Sequence, residues 1–387
     1  MKNYLLTPGP TPVPDEVLSA MAKPIIHHRT PQFQAILKET EEGLQYVYET
    51  KGKVLMFASS GTGAMEGAVA SLLSPGDKAI VVRGGKFGER WGELCAAYGI
   101  EFIPIDVEWG KAVDPQKIKK ILDNESRANG PTGHGSRIKA VYVTFCETST
   151  GVATDIKVIA EITKNSQAVL VVDAISALGA VELKTDEWGI DVVISGSQKG
   201  LMIPPGLAFV SLSEKALALV EKSTLPKYYF NFKAYKKSID KNDTPYTPAV
   251  NLIIGLNEAL KLIKKDGLAN VVARHKKHAQ AVRTAMGALG LELFAPDAYS
   301  DAVTSVKAPE GVDSAKLVKT MRDKYGVGIA GGQAQLKGKI FRIATMGYIT
   351  AADLKVCIQT LETVLAEMGY KFEKGVGVKA LEKGLAK

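Results

Sequence analysis

Two residues anchor the chemistry this chain could perform. Lys199 lies in Ser195-Gly-Ser-Gln-Lys199-Gly, between a mostly apolar run at 190–194 and another at 207–212. Both runs read as buried strands, which puts the lysine in a short loop of small residues at a strand's carboxyl end. Asp173 ends a further apolar run, Ala168-Val-Leu-Val-Val172. Open α/β sheets bind ligands along that edge. An amine and a carboxylate delivered there by separate strands suit a group needing an amine at one end and an anion at the other.

A third part could hold a phosphate. The strand at 54–57 is followed by Ala58-Ser-Ser-Gly-Thr-Gly-Ala64, which opens a helix. Such a turn offers free backbone N–H groups at the positive end of the helix dipole. Ser60, Gly61 and Thr62 are the residues assigned to it. Together these parts fit pyridoxal 5'-phosphate, whose aldehyde condenses with a lysine and whose ring nitrogen takes an acidic partner. The rival is a dinucleotide-binding turn, since Gly61-x-Gly63-x-x-x-Gly67 is one residue off the usual glycine spacing. That motif also wants an acidic residue after the next strand, and here the strand at 79–82 ends in Arg83. An NADP-dependent oxidoreductase built on that turn and Arg83 is therefore disfavoured.

Two further residues carry open alternatives. Phe87, between glycines just past a strand end, either packs in the core or lays its ring on a flat cofactor. Arg342 sits inside the apolar strand Phe341-Arg-Ile-Ala. A guanidinium there is costly without an anion, and its planar fork matches a carboxylate. The anion is either a carboxylate of the chain or one on a substrate.

The elements that must position these residues alternate as strand and helix from about residue 32 to 212. Repeated βα units predict a mostly parallel sheet covered by helices, an α/β fold. An extended arm is expected at 1–14, because four prolines in the nine residues 6–14 exclude a regular helix. A large domain then covers 15–266, and a smaller α+β domain with shorter strands covers 267–387. His27-His-Arg-Thr-Pro31 reads as a polar loop bordering the site, 124–137 as a surface loop, and 291–294 as a strand.

Composition bounds the class. The chain has 387 residues, 46% hydrophobic and 23% charged, and a net charge of +8. This fits a globular protein of about two domains, with no run of ~18 apolar residues to span a membrane. Five lysines against two glutamates in 370–387 carry part of the excess charge. No basic stripe with interleaved aromatics suggests nucleic acid, so anionic small substrates are the better use of the charge. Cys95, Cys146 and Cys357 are few and far apart, giving no metal-ligand spacing and no disulfide framework. The opening is too interrupted for a signal peptide, and a reducing cytoplasm is the expected compartment.

With these residues in view, the chain resembles the class V, fold type I pyridoxal-phosphate aminotransferases, above all the alanine–glyoxylate and serine–glyoxylate (serine–pyruvate) group. The resemblance runs from Leu6-Thr-Pro-Gly-Pro to the Arg342 strand. It implies Lys199 as the cofactor-bearing lysine and Asp173 as the partner of the ring nitrogen. It implies Ser60, Gly61, Thr62 and Gln198 as phosphate contacts, Phe87 as the stacking ring and Thr148 as a hydroxyl reaching the cofactor ring. Thr247 would contact the phosphate held by the neighbouring subunit of a homodimer. Arg342 would take the substrate α-carboxylate, with Gly9 nearby. Some relatives carry a second phosphate-contacting Tyr three residues before that Thr, where this chain has Thr244. No metal is implied. The implied reaction is ping-pong amino transfer from alanine or serine to glyoxylate or pyruvate. A phosphoserine or aminophosphonate transaminase would need extra basic residues, which Arg29, Lys227 or Lys337 could supply. A cysteine desulfurase would need a cysteine near Gly331-Gly-Gln-Ala-Gln335, which has none. Similar sequences have also been labelled hydrogenase-associated subunits, a role three scattered cysteines could not serve with a cluster of their own.

Overall fold

The computed structural model describes residues 3–129 and 137–386. Seven strands form its central sheet: β1 (Val54–Phe57), β2 (Lys78–Arg83), β3 (Glu101–Asp106), β4 (Ile138–Thr144), β5 (Val169–Asp173), β6 (Val192–Gly196) and β7 (Ala208–Leu212). Their spatial order is β1-β7-β6-β5-β4-β2-β3. Only β7 runs antiparallel to its neighbours. The fold is thus α/β around a mostly parallel sheet, and the carboxyl ends of the other six strands share one edge. Strands β5 and β6 are buried at every residue, the expected state of parallel strands covered on both faces, and the reason they read as unbroken apolar runs.

The longer helices before and between these strands are α1 (Asp15–Met21), α2 (Pro31–Tyr48), α3 (Gly61–Leu72), α4 (Lys86–Ala97), α5 (Pro115–Asn129) and α6 (Ile156–Lys164), with a single turn at Thr185–Trp188 before β6. Their starts follow local chemistry. Thr30 accepts from the Phe33 N–H with Pro31 in the first turn of α2, and Asp155 accepts from the Val158 N–H to open α6; each satisfies a donor the helix leaves unpaired. After β7 and two short helices, Glu214–Lys222 and Phe232–Ile239, come the long helices α7 (Val250–Asp266) and α8 (Leu268–Ala288). A small antiparallel sheet follows, β8 (Val303–Lys307), β9 (Ala330–Gly331) and β10 (Ile340–Ala344), ordered β8-β10-β9.

The buried apolar side chains fall into two clusters. One surrounds the large sheet, and the other joins the end of α8 to the small sheet and the helix Ala351–Glu367. The N-terminal arm touches both. Tyr4–Leu5 pairs with Val327–Gly328, Leu6 is buried in the second cluster, and Thr11 N–H then donates to the Gln198 carbonyl beside Lys199. Among the described residues no helix is long and apolar enough to cross a membrane.

Several local expectations are corrected. The supposed loop at 124–137 begins as the last turns of α5, which runs to Asn129; 130–136 lie outside the described residues. The segment 291–294 is a single bridge, Leu293 to Val306, not a strand. Helices at Glu214–Lys222, Phe232–Ile239 and Val376–Ala386 have no counterpart in the sequence reading. The helix Phe232–Ile239 buries Phe232, Tyr235 and Ile239 on one face and is fixed by Asn231, whose side chain accepts from two N–H groups. The helix Val376–Ala386 contains Gly377 and Gly384, which weaken a helix on propensity alone. Close packing decides instead: a Cβ on Gly384 would lie 2.9 Å from Ala281 of α8.

Candidate active site

Asp173 ends β5 and is 3% exposed. Its Oδ1 accepts from the Ile175 N–H at 2.9 Å. Burial pushes the carboxyl from its ordinary value to about 7, and nearby Glu147 pushes the same way; the Ile175 N–H, Lys199 and Arg90 oppose them. A carboxylate so placed gains from any cation brought beside it.

Lys199 follows β6 in a turn locked by Ser197, whose hydroxyl donates to Pro204 O and accepts from Leu207 N–H. Gly200 is required there, since a Cβ would meet Leu178 O at 2.2 Å. The lysine amine donates to the Pro8 carbonyl of the arm. Gly9 lies against the same side chain, leaving no room for a Cβ, and Thr11 Oγ1 donates to Lys199 O at 3.0 Å. Burial lowers the amine to about 8, with Arg342 adding to the shift and Asp173 opposing it. An amine must lose its proton to attack a carbonyl. The rate at which cofactor-free protein takes up pyridoxal phosphate should therefore rise with pH and level off above about 8, as a stopped-flow pH series would show. A rate that falls across that range would contradict it.

The third part is the N-terminus of α3. Ser60 occupies the cap position in an extended conformation, but its side chain makes no cap hydrogen bond. The Gly63 N–H turns back to Ser60 O at 2.9 Å, and the Gly61 and Thr62 N–H groups are left to a ligand. Ser60, Gly61, Thr62, Phe87, Asp173, Gln198 and Lys199 line one cavity, together with Arg90 and Ser176.

Glu147, passed over in reading the sequence, organises the opposite wall. It is 4% exposed. Its Oε2 accepts from the Phe87 and Gly88 N–H groups at 3.0 and 2.9 Å, capping α4, and its Oε1 accepts from Ser149 N–H at 3.1 Å. Phe87 is thereby fixed in the first turn of α4 at the cavity. Sequence offered one signal, a carboxylate among small polar residues at a strand end, which reads equally well as a turn.

Arg342 is 5% exposed in β10. Its guanidinium donates to Gly331 O at 2.9 and 2.6 Å and to Thr148 O at 2.6 Å. Among the described residues it forms no ion pair, which removes the carboxylate-of-the-chain alternative. Burial lowers it to about 10, and Glu147 alone opposes this by its charge. A buried guanidinium held by neutral carbonyls is left favourable to an outside anion. Thr148 is buried beside it and gives its carbonyl to Arg342; it is not among the residues lining the cavity.

Thr247 lies elsewhere in this chain. It lines a separate groove with Tyr229, Tyr235, Thr244 and Tyr246, next to Tyr228, which is 79% exposed. The loop with His27 and His28 borders that region rather than the cavity, and Arg29 pairs with Asp243 and donates to Thr244 O. Lys227 is satisfied by Ser223 and Leu225. Among the described residues no group of three or more His, Cys, Asp or Glu side chains is placed to hold a metal ion.

The residues present fit pyridoxal phosphate. The uncapped α3 terminus suits its phosphate, buried Asp173 its ring nitrogen, the amine of Lys199 its aldehyde, and one cavity holds all three. Comparison with known proteins points the same way. The Aminotransferase class-V family model matches residues 3–356. An L-aspartate–glyoxylate aminotransferase of Paracoccus denitrificans (strain Pd 1222) is 38% identical over 98% of this chain and 96% of that protein. A relative in Synechococcus sp. (strain PCC 6716), 44% identical over 100% of this chain and 99% of its own length, is named the small subunit of a soluble hydrogenase. The crystal structure of ureidoglycine–glyoxylate aminotransferase from Bacillus subtilis superposes with a TM-score of 0.93 at 28% identity, covering 100% of this chain and 99% of that one.

Proposed function

The chain belongs to the class V aminotransferase family and depends on pyridoxal phosphate as that family does, and on that premise we propose that it moves an amino group from alanine or serine to glyoxylate or pyruvate. The observation that carries this reading is the convergence of a buried amine, a buried carboxylate and an uncapped helix terminus on one cavity. The hydrogenase name borne by some relatives finds no group of three or more His, Cys, Asp or Glu ligands among the described residues to support it.

When bound, the cofactor supplies the electron sink for the bond broken at the donor's α-carbon. The chain's own residues do the rest. Asp173 holds the proton on the ring nitrogen. Arg342 binds the donor's α-carboxylate in a fork, which fixes the α-carbon relative to Lys199. The lysine amine, made less basic by burial, takes the α-proton and gives it back on the other side of the transfer. Phe87, tied by Glu147, faces the ring. Ser60, Gly61, Thr62 and Gln198 would hold the phosphate, and Thr148 positions Arg342 through its carbonyl. The arm through Pro8 and Gly9 covers the lysine and excludes water from it.

The same reading makes the chain a homodimer, with Thr247 reaching the neighbour's phosphate. In support, Tyr228 stands 79% exposed in a cluster of rings with Tyr229 and Tyr246, an apolar surface suited to a second copy. Sedimentation showing a monomer at assay concentration would remove this assignment.

The donor is tested by half-reactions. Holoenzyme is mixed with alanine, serine, aspartate and phosphoserine in turn, and loss of the lysine-bound cofactor's visible band is followed. Alanine or serine should bleach it fastest, and glyoxylate or pyruvate should restore it. A protein bleached only by phosphoserine would overturn the substrate assignment, and one bleached by no amino acid would overturn amino transfer itself.

A further inference from the structure

We propose that Arg90 is a further cofactor-binding residue, supplying the positive charge that the phosphate site otherwise lacks. This rests on the reading of the cavity given above.

The phosphate contacts assigned so far, Ser60, Gly61, Thr62, Gln198 and Thr247, are all neutral. A phosphate monoester carries about −1.5 to −2 charge at neutral pH, and sinking it among neutral donors alone is costly. Arg90 lines the same cavity. It sits three residues after Phe87 in α4, so both project from one face of the helix. Its Nη1 donates to the Thr62 hydroxyl at 3.1 Å, and its guanidinium carbon lies 5.1 Å from the centre of the Phe87 ring.

Three consequences follow from that geometry. The Thr62 oxygen accepts from Arg90, so its own proton is turned elsewhere and is free to point at an anion at the α3 terminus. The guanidinium keeps further N–H groups in a planar fork suited to phosphate oxygens. The cation also rests against the Phe87 ring, so the residue at the phosphate and the ring facing the cofactor are held by one side chain. Glu147 grips the backbone of the same helical turn from the other side.

The test separates charge on the phosphate from support of the ring. Cofactor-free wild type, Arg90→Gln and Arg90→Lys are titrated with pyridoxal phosphate and with pyridoxal, which lacks the phosphate, and binding is read by protein fluorescence. Losing a charge-assisted hydrogen bond is worth roughly 10- to 100-fold in affinity. Arg90→Gln should lose about that factor for pyridoxal phosphate while pyridoxal binding stays within about twofold, and inorganic phosphate should compete with the cofactor less well than in wild type. Arg90→Lys should recover part of the loss, and carries the same comparison alone if Arg90→Gln does not fold. Equal losses for the two ligands would show that Arg90 serves only the ring or the fold, and no loss would deny it any role; either overturns the proposal. If wild type binds neither ligand, the underlying reading of the cavity fails instead.

Discussion

Replacing Lys199 by alanine is expected to abolish turnover, by about 10⁴-fold or more, because the variant loses both the nucleophile and the proton carrier. The visible band of the lysine-bound cofactor should vanish with it. The cause is local. Lys199 is 9% exposed, its amine meets the Pro8 carbonyl and lies against Gly9, and burial has made it less basic. Among the described residues no other lysine lines the cavity. Lys199→Arg keeps the charge but presents a guanidinium that stays protonated, so it should be equally inactive. Band and activity surviving in Lys199→Ala would refute the assignment.

The second large effect is at Asp173. A carboxylate about 3 Å from a ring cation gains on the order of 5 kcal/mol at an effective dielectric of ~20, before desolvation. If half of that acts in the transition state, Asp173→Asn should lower kcat by about 10²-fold. The same residue predicts an opposite effect on the cofactor-free protein. Its folded pKa, about 7, lies above the ordinary 3.8, so folding favours the protonated carboxyl. That stability is fully present below about 3.8 and is lost as pH rises through about 7. Cofactor-free Asp173→Asn should therefore melt higher than cofactor-free wild type above pH 7, while being the poorer enzyme. A variant as active as wild type would sink the role given to Asp173.

Much of this was legible in the sequence because parallel strands leave an unmistakable mark. The runs that became β5 and β6 are buried on both faces, so they are mostly apolar, and they end at or just before the residues carrying the chemistry. The turn before α3 was legible for a similar reason, since few uses other than a ligand require Ser, Gly and Thr packed between strand and helix. What escaped depends on contacts across the fold. Glu147 and Arg90 differ little from turn and surface residues until β4, α4 and the α3 terminus come together. Thr148 shows the reverse: the motif suggested its hydroxyl, whereas the recorded contact is its carbonyl to Arg342. The helix Val376–Ala386 was hidden by its glycines, whose value appears only when Ala281 is beside Gly384.

The central claim is that one particular lysine carries the cofactor opposite one particular carboxylate. Holoenzyme can be reduced with borohydride to fix the cofactor where it is bound, digested, and mapped by mass spectrometry. The cofactor's mass should appear on the peptide containing Lys199 and on no other. Its appearance on a different lysine, or its absence from every peptide of a protein that still transaminates, would contradict the account.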